Sequence, residues 1–180
     1  MTLIKSISGI RGTIGGFQGE NLTPIDAVKY AAAYGSWVTQ QREKNNYTVV
    51  VGRDARISGN MMQQLVMNTL IGLGIHVVDL DLSTTPTVEV AVMLEHADGG
   101  IILTASHNPK QWNALKLLNH KGEFLDAKEG QKILDIAEND NINFSEVDDL
   151  GKITSNQAYI DLHIDEILDL SLVDVEAIKK

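Results

Sequence analysis

Three apolar runs rich in β-branched residues predict buried strands at residues 47–51, 75–80 and 99–103. Residues 3–8 predict a further short strand that leads into a glycine-rich loop between residues 9 and 19. A hairpin is predicted around the turn at 119–121, which adds antiparallel pairing to the sheet. Because helical patterns separate the strands, the sequence predicts an α/β fold with a mixed, mainly parallel sheet.

Apolar residues recur at helical spacing between these strands. Thr23 suits an N-cap and is followed by proline, so a helix is predicted over residues 24–42. In the third helix, Val90, Met93 and Leu94 are expected to face inward. The remaining helices are predicted from Ser58 to Gly74, from Thr85–Pro86 onward, from Asp126 to about Glu138 and over Ala158–Leu170.

Composition narrows the range of partners. The net charge of −9 over 180 residues argues against binding to nucleic acid or to an anionic membrane, because both reward clustered lysine and arginine. The sequence has no cysteine, no apolar stretch long enough to cross a membrane and no recognisable signal peptide. These features predict a cytoplasmic protein. The basic residues concentrate in a few loops, which indicates a local anion site.

Three of those loops carry the candidate chemistry. The strand at 47–51 leads to Arg53 and Arg56, and the strand at 99–103 leads to Ser106, His107 and Asn108. Ligands of open α/β sheets bind beyond the carboxyl ends of the strands. If the strand at 3–8 runs the same way, Arg11 joins them. Guanidinium groups suit phosphate oxygens, so the sequence predicts a phosphate site that contains a hydroxyl and an imidazole.

Each residue also has a structural interpretation. Arg53 and Arg56 can form salt bridges with nearby aspartates, and Asp79 and Asp81 give only a weak indication of a metal site. Ser106 before Asn-Pro can be a turn residue, and a lone histidine is more often structural than catalytic. The sequence lacks a dinucleotide fingerprint, a Walker A motif, a Gly-x-Ser-x-Gly elbow and zinc-ligand spacing.

Four motifs in order resemble the α-D-phosphohexomutases, the family of phosphoglucomutase, phosphomannomutase and phosphoglucosamine mutase. Thr-Ala-Ser-His-Asn-Pro at 104–109 resembles the active-serine loop of that family. Gly-Ile-Arg-Gly at 9–12 resembles its N-terminal loop, and Gly-Arg-Asp-Ala-Arg at 52–56 resembles its second motif. Lys116 matches the lysine that follows the serine loop. The resemblance extends over about residues 3–140.

The resemblance implies a three-layer α/β/α domain and a reaction that interconverts hexose 1-phosphate and hexose 6-phosphate. Ser106 would carry a phosphoryl group and exchange it with a hexose 1,6-bisphosphate intermediate. Arg11 and Lys116 match residues that assist proton transfer and stabilise charge, and His107 matches a residue close to the transferring phosphate. The resemblance also implies a Mg²⁺ ion that touches an oxygen of phosphorylated Ser106, with its other ligands in a second domain.

Some features of the family are missing from the sequence. The Asp-x-Asp-x-Asp-Arg metal loop is absent, and so are the sugar-specificity and later phosphate-binding loops. We therefore expect residues 1–150 to form the first domain, and residues 151–180 to form a linker and the opening helix of a truncated second domain. The 180 residues alone are expected not to turn over substrate. Asn113-Ala114 replaces the usual Asn-Gly, and alanine disfavours a left-handed turn.

Three functional hypotheses remain from the sequence. The first is the mutase domain, with glucosamine, glucose and mannose phosphates all open as substrates and a preference for glucosamine phosphate. The second is a non-catalytic module that binds phosphosugars. The third, a serine hydrolase, has little support because no acidic partner or oxyanion motif is visible.

Overall fold

A seven-stranded sheet forms the centre of the molecule. The computed structural model describes residues 1–7, 9–139 and 141–179. Ser8, the predicted end of the first strand, and Asp140, the predicted start of a polar linker, lie outside the described residues. The strands are β1 (Ile4–Ser6), β2 (Gly9–Thr13), β3 (Tyr47–Arg53), β4 (Ile75–Leu82), β5 (Gly99–Leu103), β6 (Trp112–Leu118) and β7 (Ile153–Ser155).

The strand order is β1-β2-β6-β5-β3-β4-β7. β3 pairs in parallel with both β4 and β5, and β4 pairs in parallel with β7. The pairs β1–β2, β2–β6 and β5–β6 are antiparallel. The prediction of a mixed sheet is confirmed, but parallel pairing does not predominate because the N-terminal strands and β6 add an antiparallel half.

Helices cover both faces of the sheet, which confirms the three-layer α/β/α architecture. They are α1 (Pro24–Gln41), α2 (Gly59–Gly72), α3 (Thr85–Leu94), α4 (Ala127–Asn139), α5 (Tyr159–Leu168) and the short α6 (Val175–Ile178). α1, α2 and α4 pack on one face, and their apolar side chains form the larger core. α3 and Tyr159 at the start of α5 pack on the other face over β3, β4 and β5. That second core does not extend over β1 and β2.

The helices of the described residues were compared with the requirements for crossing a membrane. None of those in the described part of the chain combines the length and the apolar character that a bilayer crossing requires.

The N-terminal segment differs from the prediction. Residues 9–13 form β2, so the predicted glycine-rich loop begins later, and Arg11 lies inside a strand. β1 is antiparallel to β2, and β2 pairs with β6 about a hundred residues further along the chain. Extended backbone here is stabilised by that distant partner, which overrides the turn preference of two glycines.

The hairpin predicted after β6 is only partly formed. The turn at 119–121 is present, but the second strand of the predicted hairpin shrinks to one bridge between Leu118 and Phe124. β7 was not predicted and extends the sheet beyond β4. α5 is anchored to α3 by a hydrogen bond of 2.6 Å from the Tyr159 hydroxyl to Glu95. The proposed division at residue 150 stays a prediction.

The start of α1 contains a buried carboxylate on which stability should depend. Asp26 is 2% exposed, and it accepts hydrogen bonds from the Thr23 backbone, the Thr23 hydroxyl and the Gly19 backbone. We expect Asp26→Ala to lower the free energy of unfolding by about 3 kcal/mol, because it leaves three donors without an acceptor.

An exposed aspartate provides the matched control for this prediction. Asp126 precedes α4, accepts the backbone N–H groups of Lys128 and Glu129 and is solvent-exposed. Asp126→Ala should therefore cost only about 1 kcal/mol. Urea unfolding of both variants measures the difference, and equal losses would contradict the role assigned to the buried carboxylate.

Candidate active site

Ser106 is presented on a strained loop. The serine loop, defined as residues 104–111, connects β5 to β6, and Ser106 has a φ of +55° there. This left-handed conformation costs a residue with a β-carbon about 1–2 kcal/mol. The backbone N–H of Ser106 donates to the Thr104 hydroxyl at 3.0 Å, and the side-chain amide of Asn108 donates to the carbonyl of Ala105 at 3.0 Å. The loop is therefore internally bonded, while the Ser106 side chain remains exposed.

His107 lies next to the serine hydroxyl. The distance from Ser106 Oγ to His107 Nδ1 is 3.4 Å, which is the long end of the hydrogen-bonding range. Within the described ranges, no carboxylate is hydrogen-bonded to the His107 ring. The arrangement therefore lacks the acidic partner of a hydrolase triad, and it suits an imidazole that contacts a group carried by Ser106.

Two cations line the pocket beside the serine. Arg11 on β2 pairs with Ala114 on β6, and Gly9 pairs with Lys116. Alternate residues of paired strands share a face, so Arg11 and Lys116 both face the side of the sheet that the second core leaves open. They line a pocket of about 380 Å³ together with Ser106, His107 and Asn108. The structure therefore brings together five of the seven predicted site residues.

The partners of these cations differ. Lys116 Nζ lies 5.7 Å from the centre of the Phe124 ring, within cation–π distance. For the Arg11 side chain, no hydrogen bond or ion pair joins it to any residue in the described part of the chain, and it is exposed. Its guanidinium is thus available to an anion in the pocket.

Arg56 is engaged with protein groups. Its guanidinium donates to backbone carbonyls of the serine loop, to the carbonyl of Trp112 and to Asp54, and its predicted phosphate-binding role stays a prediction. The sequence allowed Asp54 as a salt-bridge partner of these arginines but did not predict its contact with Thr104 of the serine loop. The available signal was its place between the two arginines of the 52–56 motif.

Arg53 is also engaged with protein groups. It donates to Asp81 at 2.6 Å, to the Gln63 side chain at 2.9 Å and to the Asp54 carbonyl at 3.3 Å. Gln63 in turn donates to Asp79 at 2.6 Å. Arg53 thus forms a salt bridge with Asp81, as one of the two interpretations of the sequence expected. The predicted role of Arg53 in phosphate binding stays a prediction.

The same network contains Asp79, whose ionised carboxylate is destabilised by its surroundings. Burial raises the pKa of Asp79 and the charge of Asp81 adds to this, although a backbone hydrogen bond and Arg53 oppose it. A folded-state pKa above the unfolded value means that ionised Asp79 reduces stability at neutral pH. We expect Asp79→Asn to raise the free energy of unfolding at pH 7 by about 0.5 kcal/mol. The gain is small because solvent screens the charge of this half-exposed group.

The gain should depend on pH in a defined direction. It should shrink as the pH falls through the folded pKa of Asp79 towards the ordinary aspartate pKa of 3.8, since the wild-type carboxyl then becomes neutral as well. Denaturant titrations between pH 3 and 7 measure this trend. A gain that is independent of pH would show that charge is not its cause.

The metal prediction requires ligands beyond those seen here. No group of three histidine, aspartate or glutamate side chains suited to a metal ion occurs among the described residues. Asp54, close to the serine loop, is already bonded to Thr104 and Arg56. If Ser106 contributes a phosphate oxygen to a Mg²⁺ ion, the other ligands come from elsewhere.

Comparisons of the sequence and of the structure with known proteins both lead to phosphohexomutases. The family described as phosphoglucomutase/phosphomannomutase, alpha/beta/alpha domain I, matches residues 3–143. The phosphoglucomutase/phosphomannomutase of Thermococcus kodakarensis is 33% identical over 171 residues, which cover 94% of this chain and 37% of that protein. The phosphoglucosamine mutase of Ligilactobacillus salivarius is 38% identical over 132 residues, covering 73% of this chain and 28% of that protein.

A solved structure supports the fold. A phosphoglucomutase/phosphomannomutase family protein from Burkholderia thailandensis has a TM-score of 0.76 at 24% identity, and the match covers 95% of this chain and 36% of that one. The matches thus cover between 28% and 37% of the length of these relatives.

Proposed function

Because this chain belongs to the phosphoglucomutase/phosphomannomutase family, we propose that it forms the serine-bearing domain of a phosphohexomutase. The complete enzyme would interconvert hexose 1-phosphate and hexose 6-phosphate by way of phosphorylated Ser106 and hexose 1,6-bisphosphate. One observation carries the proposal: an exposed serine hydroxyl lies at a pocket lined by Arg11 and Lys116 from the two neighbouring strands.

Charge explains why these groups belong together. A phosphoserine carries a charge of about −1.5 to −2 at neutral pH, so it needs cations around it. Phosphoryl transfer is catalysed mainly by positioning and by neutralising the developing charge. Arg11, which has no hydrogen-bond or ion-pair partner among the described residues, and the half-buried Lys116 on the same sheet face meet both requirements.

The transfer from phosphoserine can be written for this chain's own residues. The bond from phosphorus to Ser106 Oγ breaks as a bond from phosphorus to the sugar hydroxyl oxygen forms. The proton of the sugar hydroxyl would pass to water or to a base of the complete enzyme. Lys116 would donate a proton to the departing Ser106 oxygen, and Arg11 would bind the equatorial phosphate oxygens. His107 and Asn108 would hold the phosphoryl group at the mouth of the pocket.

A bound Mg²⁺ ion would supply further neutralisation of the transferring phosphate. We propose that its contact with this chain is an oxygen of the phosphate on Ser106. The substrate we propose to test first is glucosamine phosphate, with glucose and mannose phosphates next, because relatives named for phosphoglucosamine mutase and for phosphoglucomutase/phosphomannomutase both match. We further propose a cytoplasmic location, in keeping with the cysteine-free sequence.

Phosphorus NMR tests the proposed reaction. The protein from its complete reading frame is incubated with each hexose 1-phosphate, a trace of the matching 1,6-bisphosphate and Mg²⁺. Appearance of the 6-phosphate supports the mutase, and its loss with chelator supports the metal. Binding of the sugar phosphate without any turnover would instead favour the non-catalytic binding module.

A further inference from the structure

We propose that Arg56 and Asp54 are positioning residues that set the conformation of the serine loop and thereby place Ser106 against Lys116. The catalytic consequence rests on the proposed function. The structural claim does not, because it concerns the backbone of residues 104–112 in the protein itself.

Arg56 is surrounded by carbonyl oxygens. Its Nη2 donates to the carbonyls of Ser106 at 2.7 Å and Asn108 at 2.8 Å. Its Nη1 donates to the carbonyls of Pro109 at 2.9 Å and Trp112 at 3.0 Å. A guanidinium has five N–H donors, and the fifth, on Nε, donates to Asp54 at 3.1 Å. A phosphate could bind this group only by displacing one of these bonds.

Asp54 connects this cation to the other side of the loop. One carboxylate oxygen accepts from the Arg56 backbone N–H at 3.0 Å, and the other accepts from Arg56 Nε and from the Thr104 hydroxyl, the latter at 2.6 Å. The Thr104 hydroxyl in turn accepts the N–H of Ser106 at 3.0 Å. Both backbone polar groups of Ser106 are therefore held, one through Thr104 and one by Arg56.

Two features show that this arrangement fixes the loop. The Arg56 side chain is only 11% exposed, so its hydrogen bonds are largely shielded from water. Ser106 remains in a left-handed conformation, which persists only where the surroundings enforce it.

The arrangement also links the serine to the lysine. The Arg56 contacts span from Ser106, shortly after β5, to Trp112, the first residue of β6. Lys116 lies on the same strand four residues further on. Fixing this span fixes the position of the hydroxyl relative to the strand that carries the lysine. A displacement of about 1 Å can slow a reaction about a hundredfold.

Arg56→Lys tests the proposal, because lysine keeps the charge but cannot direct five donors to separate acceptors. We expect amide hydrogen exchange in residues 104–112 to become at least about tenfold faster. We expect phosphate uptake by Ser106 from a hexose 1,6-bisphosphate to slow by about a hundredfold, with the Kd for hexose 6-phosphate changed less than about threefold. Lys110→Gln, an exposed change in the same loop, should alter none of these.

The opposite pattern would overturn the proposal. Weaker binding of the hexose phosphate with unchanged loop exchange would make Arg56 a phosphate ligand. If wild-type Ser106 takes up no phosphate, the proposed function fails, while the exchange measurement still decides whether Arg56 holds the loop.

A second pair of variants serves if Arg56→Lys does not fold. Thr104→Val removes the hydroxyl between Asp54 and the Ser106 N–H, and Thr104→Ser keeps it. Faster loop exchange in the valine variant with restoration in the serine variant supports the proposal. Wild-type exchange in both variants contradicts it.

Discussion

Replacing Ser106 by alanine is expected to abolish phosphate uptake and to lower the proposed mutase activity of the complete protein by at least about 10⁴-fold. The hydroxyl oxygen is the proposed acceptor of the phosphoryl group, and the pocket contains no second hydroxyl on the same loop apart from Thr104, which is committed to Asp54. Activity is measured by phosphorus NMR, and phosphate uptake by intact mass.

The fold should survive this substitution. The backbone bonds of Ser106 to Thr104 and Arg56 do not involve its side chain, so the free energy of unfolding should change by less than about 0.5 kcal/mol. Ser106→Gly should be inactive yet more stable by about 1 kcal/mol, because glycine relieves the left-handed strain. Ser155→Ala, at the far edge of the sheet, is the control. A Ser106→Ala enzyme with substantial activity would exclude the carrier role.

Gly9→Ala is expected to produce the largest loss of stability, about 4 kcal/mol. Gly9 has a φ of +136°, and a β-carbon there would lie 2.1 Å from the carbonyl oxygen of Leu115. Backbone cannot move aside as a flexible side chain can, so the β2–β6 pairing must open. Because Arg11 and Lys116 lie on these strands, the pocket should open with it. Urea unfolding measures the loss.

Gly15→Ala separates strain from steric overlap. Gly15 also has a positive φ, +92°, but no atom lies within 4 Å of the position of an added β-carbon. Its replacement should cost only about 1 kcal/mol of backbone strain. If Gly9→Ala were no more destabilising than Gly15→Ala, the close packing of β2 on β6 described here would be wrong.

The alternation of strands and helices was predictable because it rests on local signals. The β-branched run at β3 and the Thr23 cap of α1 each indicate one element without reference to the rest of the chain. β2 was missed because the preference of its glycines is local, whereas its pairing with β6 is distant in sequence. β7 has three residues, all exposed, and therefore no apolar pattern.

The orientation of α3 shows the same limit. Met93 and Leu94 were expected to face inward, but they are 51% and 44% exposed, while Val88, Ala91 and Val92 are buried. This helix is apolar around most of its circumference, so periodicity alone does not identify the buried face. The packing of α3 on β3 and β5 decides it.

Some site residues could be identified from the sequence, whereas the contacts of others required the structure. The motifs identified Ser106, Arg11 and Lys116, and the structure places all three at one pocket. For Arg53 and Arg56 the sequence left salt bridges and phosphate contacts both open. Only the three-dimensional positions of Asp81 and of the serine-loop carbonyls show which acceptors these guanidinium groups have.

Phosphopeptide mapping of the complete protein, before and after incubation with a hexose 1,6-bisphosphate and Mg²⁺, determines whether Ser106 carries the phosphoryl group. We expect phosphate on the peptide that contains Ser106, on that serine and on no other hydroxyl. An unmodified Ser106 under both conditions would contradict the phosphoserine mechanism and leave a phosphosugar-binding module as the better description.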